Sequence, residues 1–144
     1  EWNDRFRDAV RGYWLLTGVG RGELARRFTA SSDFFHHRHR PPTASVNFVS
    51  VHDGFTLADV VSYRQKHNAA NGEQNRDGRD NELCANFGEE GETADAAVNA
   101  TRGRVRRAMI ATLRMFSDMR LCSTFGRAAC WVICAPPVLC AASR

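Results

Sequence analysis

The chain has 144 residues, room for one domain with its own core. Its 43% hydrophobic content is split into runs far shorter than the roughly 20 residues that span a bilayer, which argues against a membrane protein. The formal charge of +4 rests almost wholly on arginine, with Lys66 the one lysine, but the arginines are scattered among 16 acids; that scatter argues against nucleic acid as a partner.

The start, Glu1-Trp2-Asn3-Asp4, carries neither an initiator Met nor a basic leader, so it is no signal peptide and the true start is expected upstream. Asn3 or Asp4 can cap a first helix over 3–14. Phe6, Ala9, Val10, Tyr13 and Trp14 then fall at i, i+3, i+4, i+7 and i+8, an apolar stripe. Thr17 to Gly20 ends it, and 22–28 adds a short helix through Leu24, Ala25 and Phe28. Ser31 to Phe35 reads as a loop with aromatic anchors. His36, His37 and His39 crowd the next stretch, yet a metal site needs convergent geometry and outer support, and neighbouring histidines beside Arg and Pro read as a solvated loop.

Pro41-Pro42 breaks the chain before Val46–His52, an apolar, β-branched run that predicts a buried strand over 46–52. The run ends on His52 and Asp53. Thr56 and Asp59 form an N-cap pattern, and Leu57, Val60 and Val61 predict a helix over 57–65. Strand, polar tip and helix in succession place His52-Asp53 where parallel α/β folds keep their chemistry. Two readings stand for the pair: a functional tip, or strand-end residues that only cap the next helix.

Residues 66–78 form a long polar loop. Counting from Glu73, it mimics a calcium loop, but Cys84 stands where a bidentate Glu is required, so that reading fails. The loop is expected to continue through 79–100, past acids at Glu89, Glu90 and Glu92. A helix over 102–116 follows, with Val105, Ala108, Met109, Thr112, Leu113 and Phe116 on one face. From about Met119 the composition changes. Cys122, Cys130, Cys134 and Cys140 crowd this end without paired C-x-x-C spacing, which gives no zinc signature. Residues 119–144 are expected to be an unmatched tail, frameshifted or disordered, after a unit over 1–118.

The stretch VNFVSVHDGFTLADVVSYRQKHNAANGEQNRDG (46–78) resembles the glycogen-debranching and isoamylase branch of the α-amylase clan of glycoside hydrolases. EWNDRFRDAVRGYW, SSDFF (31–35) and NFGEEG (86–91) are similar to that branch too. The resemblance covers about residues 1–116. It implies an α/β fold, a partial (β/α)8 TIM barrel around the sixth and seventh strands and their helices. Phe48 to Asp53 would match the motif that ends the seventh strand. By that match Asp53 would be the transition-state-stabilising carboxylate, while His52 and Phe48 would bind substrate. The nucleophile and the acid/base carboxylate of the family would lie on earlier strands, so no residue here is nominated for them.

The implied parent is a cytoplasmic enzyme that hydrolyses α-1,6 branch linkages of glycogen or limit dextrin with retention. It needs no cofactor and no metal, and no protein partner is evident. A fragment of it alone would be inactive. Starch isoamylase and trehalose-releasing relatives are the alternatives within the clan. A basic, non-catalytic module that binds nucleic acid or protein is the alternative of another class.

Overall fold

The computed structural model describes residues 1–28, 31, 33, 39–40 and 44–123, with side chains to 116. In chain order the elements are β1 (Trp2–Asn3), α1 (Asp4–Trp14), α2 (Arg21–Phe28), β2 (Val46–Asn47) and a long α3 (Ala96–Ser123). Two single 3-10 turns, Asp59–Val61 and Ala69–Asn71, interrupt the loops between β2 and α3.

Helix α1 starts where its cap predicts. Asn3 is the capping residue, and its side-chain oxygen accepts from the Phe6 N–H at 3.0 Å. The amide end of the same side chain faces Ser31 Oγ, Ser45 Oγ and the Asn47 side-chain oxygen at 2.9–3.0 Å. Asn3 is 1% exposed, so this buried network ties the start of α1 to β2. β1 and β2 are parallel, with Trp2 opposite Val46 and Asn3 opposite Asn47.

The strand expected over 46–52 is therefore confined to Val46–Asn47. A ladder can be no longer than its partner, and β1 gives way to the α1 cap after two residues. From Phe48 onward the chain is extended loop held by side chains.

The core forms where the faces of α1 and α3 meet the 49–61 segment. Phe6, Val10, Val49, Val60, Val61, Met109, Leu113 and Phe116 are buried together. The Phe6 and Phe116 rings meet edge to face at 5.2 Å, and Trp14 Nε1 donates to Thr112 Oγ1 at 2.9 Å. These are the stripes expected from the sequence.

The helix expected over 57–65 is reduced to the turn Asp59–Val61. Its cap is present: the Asp59 N–H donates to Thr56 Oγ1 at 3.2 Å and the Thr56 hydroxyl donates to Asp59 Oδ2 at 2.7 Å. Propagation fails because the carbonyls that a helix would use are taken from outside. Ala85 N–H donates to Val60 O at 2.9 Å, and Gly91 N–H donates to Ser62 O at 2.8 Å.

Helix α3 begins earlier than the expected 102, at Ala96. Asp95 Oδ1 accepts from the Ala97 and Val98 N–H groups at 2.7 and 3.0 Å, an N-cap inside the stretch read as loop. The helical backbone continues to Ser123, across the expected boundary at 118. His36, His37, Phe34, Phe35, and Cys130, Cys134 and Cys140 of the tail lie outside the described residues. No helix among the described residues is long and apolar enough to cross a membrane.

Candidate functional site

His52 and Asp53 lie at the end of the 48–53 segment, both exposed, and both line an open cleft of about 470 Å³. Gly54, Phe55 and Asp59 continue that wall. Tyr63, Gln65 to Asn68, Gly78, Arg79 and Glu82 complete the lining.

Helix capping is carried by Thr56 and Asp59, not by the pair. Among the described residues no hydrogen bond or ion pair engages the Asp53 carboxylate, which leaves its lone pairs open to the cleft. His52 stands edge to face with the half-exposed Trp2 ring at 6.2 Å. Phe48 is placed differently. It is 8% exposed, packed against Trp2 at 5.3 Å and beneath the Arg7 guanidinium at 5.7 Å. It supports the tip from below and is not part of the cleft lining.

The tip is anchored from α1. Arg11, 1% exposed, donates from Nε to Val49 O at 2.8 Å and from Nη2 to Ser50 Oγ at 3.3 Å, and its Nη1 pairs with Glu82 Oε2. Burial pulls the Arg11 guanidinium below its ordinary pKa, and Glu82 opposes that pull. A Cβ on Gly54 would run into the Glu82 carboxylate, so glycine is needed for that carboxylate to sit against the turn.

The polar loop over 66–78 is knit to itself. Asn75 Oδ1 accepts from the Asn68 N–H at 2.8 Å, and its amide donates to Lys66 O at 3.2 Å. Asn71 donates to Asp77 Oδ2 at 2.7 Å. Lys66 Nζ donates to Asp77 O at 2.9 Å and pairs with Asp80 at 2.7 Å. Asparagine makes the loop because its amide imitates a backbone turn and tolerates positive φ, as at Asn75 with φ 59°.

A second clamp closes behind it. Glu90 accepts from the Arg64 N–H at 3.0 Å and from Asn86 Nδ2 at 3.0 Å, and lies 2.8 Å from His67 Nε2. Arg102, 4% exposed, reaches from α3 to the carbonyls of Gly91 and Asn86 at 2.6 and 2.9 Å. Cys84 lies 3.4 Å from the carbonyls of Arg64 and Glu82, and burial pushes its thiol up. Among the described residues no three His, Cys, Asp or Glu side chains converge as a metal site.

No family model matches the chain. Curated relatives do. Over 113 residues, 78% of the chain, it is 51% identical to a glycogen debranching enzyme of Yersinia enterocolitica serotype O:8. Glycogen debranching enzymes of Yersinia pestis bv. Antiqua strain Angola and Yersinia pseudotuberculosis serotype O:1b are 53% identical over the same length. The chain matches a fragment of the glycogen debranching enzyme family. It spans about 17% of the length of those relatives.

Within that segment the sequence singles out His52 and Asp53, which line the cleft, and passes over Tyr63, His67 and Glu82, which line it too, and Arg11, which braces it. Arg11 carried no such signal. Arg7 and Arg11 each follow a core residue, Phe6 and Val10, by one position, about 100° round the helix, which is the pattern of a solvated flank rather than of a buried pair. Glu82 carried none either, because the two partners lie 71 residues apart.

Proposed function

We propose that this chain is the part of a glycogen-debranching α-glucosidase that grips the sugar at the cleavage point. The observation that carries the reading is the open Asp53 carboxylate at the mouth of the cleft, beside His52, in a chain 51–53% identical to glycogen debranching enzymes. Its substrate is glycogen or a branched maltodextrin, and its parent acts in the cytoplasm. The order β1, α1, α2, β2 with parallel strands supports placement in a (β/α)8 barrel, because parallel neighbours need a helical crossover. In that placement the tip is the C-terminal end of the seventh strand.

The chemistry follows from the transition state. Hydrolysis of an α-1,6 linkage passes through an oxocarbenium-like ring, and hydroxyl contacts that tighten there supply several kcal/mol. Asp53 accepts hydrogen bonds from ring hydroxyls and faces the positive charge that develops on the ring. His52, held on edge by Trp2, positions the same sugar. In a retaining enzyme a nucleophilic carboxylate and an acid/base carboxylate stand about 5–5.5 Å apart. They belong to other strands of the parent, so this chain by itself releases no linear maltodextrin from glycogen.

Titration of the chain with maltoheptaose, followed by NMR, tests the reading. Shifts are expected at His52 and Asp53, lost in Asp53→Asn and insensitive to salt. Shifts confined to other surfaces would overturn it, as would steeply salt-dependent binding to RNA or DNA. In a full-length parent Asp53→Asn should lower kcat by about 10²-fold or more.

A further inference from the structure

The geometry points to Arg11 as the positioning residue of the cleft: from α1, one guanidinium fixes both the backbone that delivers His52 and Asp53 and the Glu82 carboxylate that lines the cleft beside them. The inference rests on the sugar-gripping reading for its purpose, though not for its geometry.

Three observations support it. Arg11 spreads its donors over three targets: Val49 O and Ser50 Oγ, within five residues of Asp53, and Glu82 of the cleft lining. A planar fork with five donors can do this, whereas the point charge of lysine cannot. The Arg11 and Glu82 side chains are only 1% and 7% exposed, so each charge needs the other, and neither can move without leaving its partner desolvated. Gly54 then closes the arrangement. With no Cβ in the way, the Glu82 carboxylate seats directly against the residue that follows Asp53. Three chain segments distant in sequence are thereby locked at one point, and that point is the base of the tip rather than the middle of the apolar core. An apolar residue at 11 would fill the same space but would direct nothing.

Two variants test this on the whole chain. Glu82→Gln keeps the shape and removes the charge. Gly54→Ala keeps every charge and displaces the carboxylate; Gly54 does not occupy the left-handed region, so alanine fits its backbone. Folding is checked by a cooperative melt, and amide exchange and the His52 ring signals are read by NMR. For both variants, exchange at 49–54 should accelerate by about tenfold or more, as local opening does. The His52 signals should move, while Val10 and Met109 amides keep their protection. Wild-type exchange at 49–54 in a folded Gly54→Ala would overturn the proposal. So would uniform acceleration across α1 and α3, which would make the pair a general stability element. Should Glu82→Gln not fold, Gly54→Ala decides alone. Maltoheptaose added to the same samples separates the two ideas. Local loosening without any sugar response in the wild type would leave the positioning role standing and sink the sugar reading instead.

Discussion

Helix α1 and the segment 56–63 begin alike and end differently. Each opens on a polar side chain that receives a backbone N–H three residues on, Asn3 for Phe6 and Thr56 for Asp59. Each carries apolar residues for the core. The first runs for 11 residues, and the second stops after one 3-10 turn. The difference lies in who takes the carbonyls. Those of α1 are used within the helix, whereas those of Val60 and Ser62 are taken by Ala85 and Gly91. A helix would have closed its own backbone; the interrupted turn instead binds the 85–91 loop, and through it the lining of the cleft. The backbone of α1 is closed by local bonds and that of the 56–63 segment by distant ones.

That contrast can be broken first at its strongest joint. Arg11→Met removes the cation and leaves Glu82 buried without its partner, at a cost of about 3–5 kcal/mol in chemical denaturation. The α1 backbone should survive, since the methionine is a good helix former. Gly91→Ala attacks the capture of the Ser62 carbonyl instead. Gly91 has φ +80°, and an added Cβ would come within 3.3 Å of the Tyr63 ring. A loss of about 1–3 kcal/mol is expected from the strained backbone, with faster exchange of amides over 62–67. If Gly91→Ala lengthened the helix past Val61, seen as added helical signal in far-UV circular dichroism, the carbonyl argument would be sharpened further. Thr56→Ala should cost less, about 1 kcal/mol at most by thermal melting, because an exposed cap serves a single turn.

The smallest effect is expected from acid. Burial raises the Glu90 carboxyl, but hydrogen bonds from His67, the Arg64 N–H, Asn86 and the Gln65 N–H outweigh it and hold the group below its ordinary range. A carboxyl whose pKa falls on folding stabilises the fold above its unfolded value, and that contribution vanishes as pH drops through the folded one. The melting temperature should therefore fall more steeply below about pH 4.5 in the wild type than in Glu90→Gln. Equal slopes would show that the clamp carries no charge-dependent stability.

What was legible in the sequence divides along the same line. The stripes of α1 and of Val105 to Phe116 were readable because the periodicity that marks them lies within each helix, and Asn3 announced its helix. Asp95 carried the same kind of message for α3, inside a stretch whose polar character masked it. The strand over 46–52 was overextended because strand length belongs to the pair, and β1 is two residues long. The turn at Asp59–Val61 was overextended because nothing near it in sequence reveals that Ala85 and Gly91 will compete for its carbonyls. His52 and Asp53 stood out as ionisable residues ending an apolar run. The groups that brace the cleft did not, since Glu82 and Glu90 meet their partners across 71 and 26 residues.

The asparagine staples of the 66–78 loop also restrain a reaction of the chain with itself. Asn71 stands directly before Gly72, a pair in which the following backbone nitrogen meets no Cβ on its way to the side-chain carbonyl. Attack by that nitrogen would expel ammonia through a cyclic imide, and hydrolysis of the imide would leave an acid in place of the amide. Both reacting groups are held here: the Gly72 N–H donates to Ala69 O at 3.2 Å and the Asn71 amide donates to Asp77 at 2.7 Å. The same bonds that shape the rim which Lys66 and Asn68 contribute to the cleft therefore keep its most labile amide away from its own backbone.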